Sequence, residues 1–319
     1  MNSLIVITGP TGVGKTELCL KIAEHYGTDI INADSRQIYA EIPIGTAAPT
    51  AQQMQRVRHY FVGTHHIGDY YSASMFEQEV LKLIDTIGGN DNNIAILSGG
   101  SMMYIDAVCN GIDDIPTINE DIRHGMKQRL ETEGLDNLVA ELKALDPKYW
   151  EVVDRSNPRR VVHALEICHQ TGRTYTSFRI GKKKPRPFNI IKIGLTRDKV
   201  LKVKRAHVIM DHHELYERIN QRVLSMVEEG LIDEARRMLP YRSDKALNTI
   251  GYKELFQYFD GKITLDEAIR QIQSDTREYA RKQLTWFKKD DSIKWFHPDQ
   301  IDEIIKHIGA NIHTKTTSN

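Results

Sequence analysis

The sequence is short of the features that mark secreted, membrane-bound or uniformly basic proteins. It has three cysteines in 319 residues, Cys19, Cys109 and Cys168, at no metal or redox spacing. That excludes a disulfide framework or a zinc finger and fits a reducing cytoplasm. No apolar run approaches the roughly 18–20 residues that cross a bilayer, so no membrane contact is expected. The N-terminal stretch MNSLIVITGPTG lacks the basic start of a signal peptide, and its short apolar run reads as a strand. Net charge is missing too, with Lys+Arg and Asp+Glu at 43 each. Any contact with nucleic acid must therefore come from local clusters of cations. What is present is 40% hydrophobic residues, enough for a large domain plus a smaller one, or for two ordinary domains.

The apolar stretches alternate with helical ones. Residues 4–8 read as a buried strand, and KTELCLKIAEHYG as a helix ended by Gly27. DIINAD (29–34) reads as a second strand ending on Asp34, and NIAILSGG (93–100) as a third. Between them, SMFEQEVLKLIDTIGG reads as a helix with Ser74 and Glu77 at capping-box spacing and Gly88-Gly89 as its stop. Strands and helices in alternation imply a parallel sheet covered on both faces. From 119 to 178 the pattern is helical, with turns near Gly134, Pro147 and Pro158, before NIIKIGL (189–195) restores a strand. Beyond 214, Leu215, Ile219, Val223 and Met226 form an apolar stripe at helix spacing. Thr264 and Glu267 mark a capping box that opens a long helix to about Lys289, and HTKTTSN at the end reads as disordered. The expected fold is α/β, with a core in two parts (1–115 and 189–290), a helical insertion (116–188) and a C-terminal tail (291–319).

Residues 9–16, GPTGVGKT, match G-x-x-x-x-G-K-[ST] in full, after a strand and before a helix. Gly9, Gly12 and Gly14 let the backbone curl around an anion, with Pro10, Thr11 and Val13 completing the loop. The helix starting near Lys15 adds its positive end. Lys15 supplies a point charge, and Thr16 a hydroxyl for Mg²⁺. The loop implies a phosphate ligand without saying which. A P-loop ATPase or GTPase also needs an apolar strand ending in an acid. The strand IAILSGG ends in Ser98 and glycines, and only DIINADS ends in an acid, Asp34. At the end of a sheet strand Asp34 is aimed into the ligand crevice, as a metal ligand, a base or a cap for the next turn.

Cations gather in three places. Arg270, Arg277, Arg281 and Lys288 are spaced 7, 4 and 7 residues apart along the last long helix, with Ile272, Tyr279 and Trp286 on a different, apolar face. Arg159-Arg160 and KKKPRP (182–187) are the others. Each alone reads as a solvated surface; three on a neutral chain favour a local nucleic-acid face. The pairs His65-His66 and His212-His213 have no third ligand at metal spacing and read as structural or surface residues.

Several stretches in order carry a resemblance: GPTGVGKT (9–16), DSRQIYAEIPIGTAAP (34–49), HHIGDYYSASMF (65–76), ILSGGSMMY (96–104), NPRRVVHALEI (157–167), ELYERINQRVLSMVEEGL (214–231), NTIGYKE (248–254) and TREYARKQLTWF (276–287). To about residue 289 the chain resembles the bacterial tRNA dimethylallyltransferase, or tRNA isopentenyltransferase, family. The resemblance implies a P-loop nucleotide-kinase-like core whose loop holds dimethylallyl pyrophosphate rather than ATP. It implies transfer of the dimethylallyl group to N6 of the adenosine 3′ of the anticodon, in tRNAs reading codons that begin with U. Asp34 is then the base, Ser101 stands near the reacting amine, and Arg222 or Arg218 meets the pyrophosphate. The anticodon stem-loop falls to Asp34, Ser35, Arg36, Gln37, Ser101, Arg123, Arg159, Arg160, Arg277, Arg281 and Lys282, with Gln37 reading an edge of the base. A cytoplasmic monomer using Mg²⁺ is expected.

The chain departs from the family's pattern at four places. Ser101-Met102 stands where Thr-Gly is usual, Asn157 where Asp is common, and His163 where Arg is common. About a dozen extra residues lie between GLTRD (194–198) and DHHELY (211–216), so either Asp198 or Asp211 could fill the family's acid position. The extra KVLKVKRAHVIM is either a basic flap near the substrate or an inert surface loop. The other readings are a small-molecule P-loop kinase, an adenylate isopentenyltransferase acting on free nucleotide, and an RNA-binding module with a dead P-loop.

Overall fold

A computed structural model of the chain describes residues 3–87, 94–204 and 207–312. Strand β1 (Ser3–Thr8) runs into the glycine loop, and α1 (Lys15–Tyr26) leaves it. Then come β2 (Ile30–Asn32), α2 (Ala51–Arg56), β3 (His59–Tyr60), α3 (Ala73–Ile87), β4 (Ile94–Ser98) and α4 (Met102–Asn110). The insertion carries α5 (Glu120–Glu133), α6 (Leu135–Leu145), α7 (Pro147–Val152) and α8 (Pro158–Thr171). The chain returns through β5 (Asn189–Leu195), the hairpin β6 (Lys199–Lys204) and β7 (His207–Asp211), then α9 (His213–Glu228), α10 (Leu231–Arg237), α11 (Tyr252–Phe259) and α12 (Leu265–Phe287). It finishes with β8 (Lys294–Phe296) and α13 (Ile301–Ile312). None of the described helices is long and apolar enough to cross a membrane.

Six strands make one parallel sheet in the order β3-β2-β4-β1-β5-β8. Successive side chains of β1 point to opposite faces. Ile5 and Ile7 pack with Leu18 and Ile22 of α1 and with Ile304 and Ile308 of α13. Leu4 and Val6 pack with Phe76, Val80 and Ile84 of α3 and with Ile105 and Val108 of α4. A strand buried on both faces reads as an unbroken apolar run, which is why LIVIT is legible. A third cluster joins Ile38 and Ile42, after β2, to Val223, Leu231, Leu255 and Ile272 of the C-terminal helices.

The chain divides into two compact units, Met1–Cys109 with Arg186–Asn319, and Asn110–Pro185. The second unit has its own core of Met126, Leu138, Leu142, Val161 and Leu165. Its buried Asp146 caps α7 through Tyr149 N (3.1 Å) and accepts from Thr176 N and Oγ1, both at 2.7 Å. Asn157 caps α8 by accepting from Arg160 N, so the Asp-to-Asn departure keeps the capping oxygen. His163 sets Nδ1 at 3.3 Å from Glu166 Oε2.

Several expectations are corrected. The second unit begins at 110, before the anticipated 116, and ends at 185, before the anticipated 188. Residue Ser72, not Ser74, caps α3, accepting from Met75 N at 3.2 Å, and Glu77 is turned inward. The stop at Gly88-Gly89 and the terminal HTKTTSN lie outside the described residues. Segment 291–312 is no tail, because β8 pairs with β5 and α13 packs on the sheet. The short β3 and β8 carry too few residues to show a period.

The cluster KKKPRP also divides. Lys184 pairs with Asp114 at 2.8 Å. Arg186 is buried and donates to Glu77 Oε1 (2.6 Å), Val108 O (2.8 Å) and Ala107 O (2.6 Å). With side-chain exposures of 7% and 6%, Arg186 and Glu77 form a buried ion pair, and truncating the glutamate leaves the Arg186 charge without its carboxylate. Such losses cost roughly 3–5 kcal/mol. Glu77→Ala is therefore expected to lower the thermal midpoint by several degrees, and Glu77→Met with Arg186→Met by much less. Equal losses in the single and double variants, read by calorimetry, would contradict a coupled pair.

Candidate active site

The glycine loop sits at the carboxyl end of β1, with β4 and β5 on either side, where open parallel sheets bind ligands. Gly9, Gly12 and Gly14 have φ of 148°, 80° and 108°, values that residues with a Cβ rarely adopt. Gly14 begins α1 with no side-chain cap, so the first-turn amides and the positive helix end are left for a ligand. Lys15 folds back, and its Nζ donates to Gly9 O and Pro10 O at 2.9 Å each. Thr16, on the first turn of α1, is exposed.

Three arginines brace the loop. Arg222 of α9 donates Nη1 to Thr11 Oγ1 at 3.1 Å, and Arg218, one turn earlier and exposed, donates Nε to Gly12 O at 3.0 Å. Arg197, just after β5, donates Nε to Val13 O at 2.8 Å and pairs with Glu214. Burial first and the Arg222 charge second lower the Lys15 pKa to about 8, with Asp34 opposing both. Burial also lowers Arg222, again with Asp34 opposing. Two cations and one carboxylate therefore share one low-dielectric space. Behind the loop, burial raises the Cys19 thiol to about 11, and Sγ donates to Ser98 Oγ at 3.0 Å. Strand β4 ends on that hydroxyl, without an acid.

Asp34 lies two residues beyond β2, not on it. Its Oδ1 accepts from Arg36 N (2.9 Å) and Gln37 N (3.4 Å), while Oδ2 lies over the Gly100 turn. Gly99 is obligatory here, since a Cβ would sit 2.1 Å from Ala33 O. Ser101 N donates to Ala33 O at 3.1 Å, and Ser101 Oγ accepts from Ser35 N (2.8 Å) and donates to Ser35 Oγ (3.0 Å). Met102 starts α4 without breaking this arrangement, so the serine keeps its place. Gln37 does not face the crevice with its amide nitrogen. Nε2 donates to Thr46 O and Ala47 O, both at 3.0 Å, within a loop held by buried Glu234. Glu234 accepts from Ile44 N, Gly45 N and Tyr252 Oη.

Two site residues escape a reading of charge and motif. Gln283 of α12 is 1% exposed, accepts from Thr11 N at 2.8 Å through Oε1, and donates to Gly100 O at 2.8 Å through Nε2. It ties the glycine loop to the turn that carries Ser101. Tyr279 Oη reaches Gly100 O at 3.5 Å, and burial together with Asp34 raises its pKa to about 12. The signal for Gln283 is a polar residue in the buried phase of an amphipathic helix. That phase is Ile272, Ala280, Leu284 and Phe287; Trp286, expected on it, is 39% exposed.

The predicted cations fare unevenly. Arg277 donates to Asn220 Oδ1 at 2.5 Å, Arg281 is exposed beside Tyr216 Oη, and Lys282 pairs with Glu278. Within the second unit, Arg159 and Arg160 are exposed on the first turn of α8, and Arg123 pairs with Glu120. The Asp198 side chain is fully buried and meets His212 Nδ1 at 2.7 Å, closing the base of the β6–β7 hairpin. The extra residues form that antiparallel hairpin. Among the described residues no cluster of three His, Cys, Asp or Glu side chains is placed to hold a metal.

The model of the family described as IPP transferase matches residues 37–290. A tRNA dimethylallyltransferase 1 of Bacteroides fragilis is 54% identical over 311 residues, covering 98% of this chain and 99% of the relative. Another, from Bacteroides thetaiotaomicron, is 55% identical, covering 97% and 96%. The crystal structure of a full-length tRNA isopentenylpyrophosphate transferase from Bacillus halodurans superposes with a TM-score of 0.69 at 34% identity, covering 98% and 97%.

The shared charge environment makes a direct prediction. Arg222→Met removes the like charge beside Lys15 while burial remains, so the lysine should titrate above about 8 but below its usual value. Carbon-detected NMR of the labelled lysine reads this. A pKa that stays put or falls would mean that the two cations do not share a site.

Proposed function

Because the chain belongs to the IPP transferase family, we propose that it transfers a dimethylallyl group from dimethylallyl pyrophosphate to N6 of the adenosine 3′ of the anticodon, in tRNAs reading codons that begin with U. The observation that carries this reading is the pairing of two different sites through Gln283. An anion cradle lies on one side, and a carboxylate–hydroxyl wall on the other.

The pyrophosphate lies in the glycine loop against Lys15 and Arg222. As the allylic C–O bond breaks, the bonding pair leaves with the pyrophosphate, and the two cations and the first amides of α1 stabilise the growing charge. Arg222 meets the pyrophosphate, since it is half-buried at Thr11 whereas Arg218 is exposed at Gly12 O. The N6 lone pair forms the new C–N bond, and the N6 proton passes to Asp34. Oδ1 is steadied by the amides of Arg36 and Gln37, which leaves Oδ2 to take the proton. The Ser101 hydroxyl positions the amine. Since the target base is stacked in its loop, it must be flipped out to reach Asp34.

A Mg²⁺ ion fits this donor set. Such ions often take only one or two protein ligands beside substrate phosphates and water, and Thr16 offers an exposed hydroxyl at the loop. The ion would neutralise charge on the pyrophosphate. Exposed cations are available to RNA phosphates in each unit taken by itself, Arg281 on α12 in the first and Arg159 and Arg160 on α8 in the second. The adenylate-transferase and kinase readings have no use for these.

Labelled dimethylallyl pyrophosphate with Mg²⁺ and unmodified tRNA, beside AMP and ATP controls, tests the proposal. Label should enter tRNA alone, and Asp34→Ala should cut kcat by about 10²–10⁴. Label entering AMP, or ATP turnover without transfer, would sink it. The pH profile adds a check. Lys15 is charged below about pH 8, so donor affinity should fall as pH rises through that value, and the fall should vanish in Lys15→Met.

A further inference from the structure

We infer that the surface hollow beside Trp286 is a stacking site for a nucleobase that flanks the target in the RNA strand, a reading that rests on an RNA acceptor. The hollow lies between the start of α4 and the last turns of α12. Met102 forms one wall, Trp286 another, and Arg281, Lys282 and Lys289 stand around them. Met102 follows Ser101 directly, so the hollow opens next to the wall that positions the acceptor.

Three observations point to a base rather than to ordinary surface. Tryptophan carries a large apolar area, and this one leaves 39% of its surface in solvent. Its single polar atom is already satisfied, because Nε1 donates to Asp106 Oδ2 at 2.9 Å. That bond fixes the ring across the gap between α12 and α4, so an incoming base meets an ordered surface. Cations outnumber acids around it: Arg281, Lys282 and Lys289 line the hollow, Lys289 Nζ 5.8 Å from the ring centroid, against Glu278, paired with Lys282, and Asp106, engaged by the indole itself. An aromatic face amid cations suits single-stranded nucleic acid, which offers a π-face and a phosphate at every step. A protein partner would gain less from three cations here.

Once the target adenosine has left its stack, its neighbour has lost one of its own stacking partners. The Trp286 indole replaces that partner, and Arg281 and Lys289 meet the adjoining phosphate. Trp286 thus acts on acceptor binding, not on the bond-making step.

The test uses the full chain and anticodon stem-loops that carry one abasic nucleotide, 5′ or 3′ of the target. Transfer to the intact stem-loop by the wild-type protein is the reference, and its absence would refute the proposed function rather than this site. With the reference in place, an abasic residue on one flank should raise KM about tenfold to a hundredfold with kcat little changed. Trp286→Ala should raise KM for the intact stem-loop by a similar factor, and the abasic substitution should add nothing to it. Trp286→Phe should restore most of the loss, which separates stacking from a fold defect. Multiplying penalties, or a wild-type KM in Trp286→Ala, would overturn the inference.

Discussion

A single buried amide holds the candidate site in register. Gln283 accepts from Thr11 N and donates to Gly100 O, and a primary amide does both from one fixed plane without taking on charge. In a site shielded from water, an unpaired backbone group is costly, so each of these contacts constrains both partners. The glycine loop belongs to β1 and the Gly99–Gly100 turn to β4. They are neighbours in the sheet, but sheet pairing alone sets strand register, not the separation of loops beyond the strand ends. A third element, α12, sets that separation. The helix in turn is anchored by Leu284 and Phe287, which reach the two opposite faces of the sheet.

Around that bridge the charges are arranged for a ligand that carries its own. Lys15 and Arg222 repel each other, and burial penalises both. A bound diphosphate would relieve the repulsion and the desolvation together. The carboxylate side is arranged differently. Asp34 is oriented by the two amides that follow it, which costs nothing in extra side chains and keeps its second oxygen available.

Much of this was legible in the residues, and the part that was not has a physical reason. The loop, α1 and the central strands announce themselves because their pattern is local: an apolar run, glycines at fixed offsets, an amphipathic repeat. Asp34 and Ser101 were found because each closely follows the end of a strand in a recognisable stretch. Gln283, Arg197 and Glu234 were not, since each earns its place through a contact more than 180 residues away in sequence. Arg186 misled for the same reason. Set among lysines, it read as surface, yet its partner Glu77 lies on α3, far away in sequence. Gln37 misled more subtly, because proximity to Asp34 said nothing about which way its amide would turn.

The clasp made by Arg186 has a consequence for how such a chain can change. Its guanidinium grips the last carbonyls of α4, where the polypeptide departs for the insertion, from the very residue at which it comes back. Departure and return are therefore a side chain's length apart, and the excursion between them is a closed detour. Joining two such points directly demands little loop-closure entropy, whatever the length of the detour. The core meets this segment as it would a short turn. The 110–185 module can then lengthen, shrink or be exchanged without re-threading the sheet, and a catalytic core of this kind can acquire a new recognition surface in one genetic step.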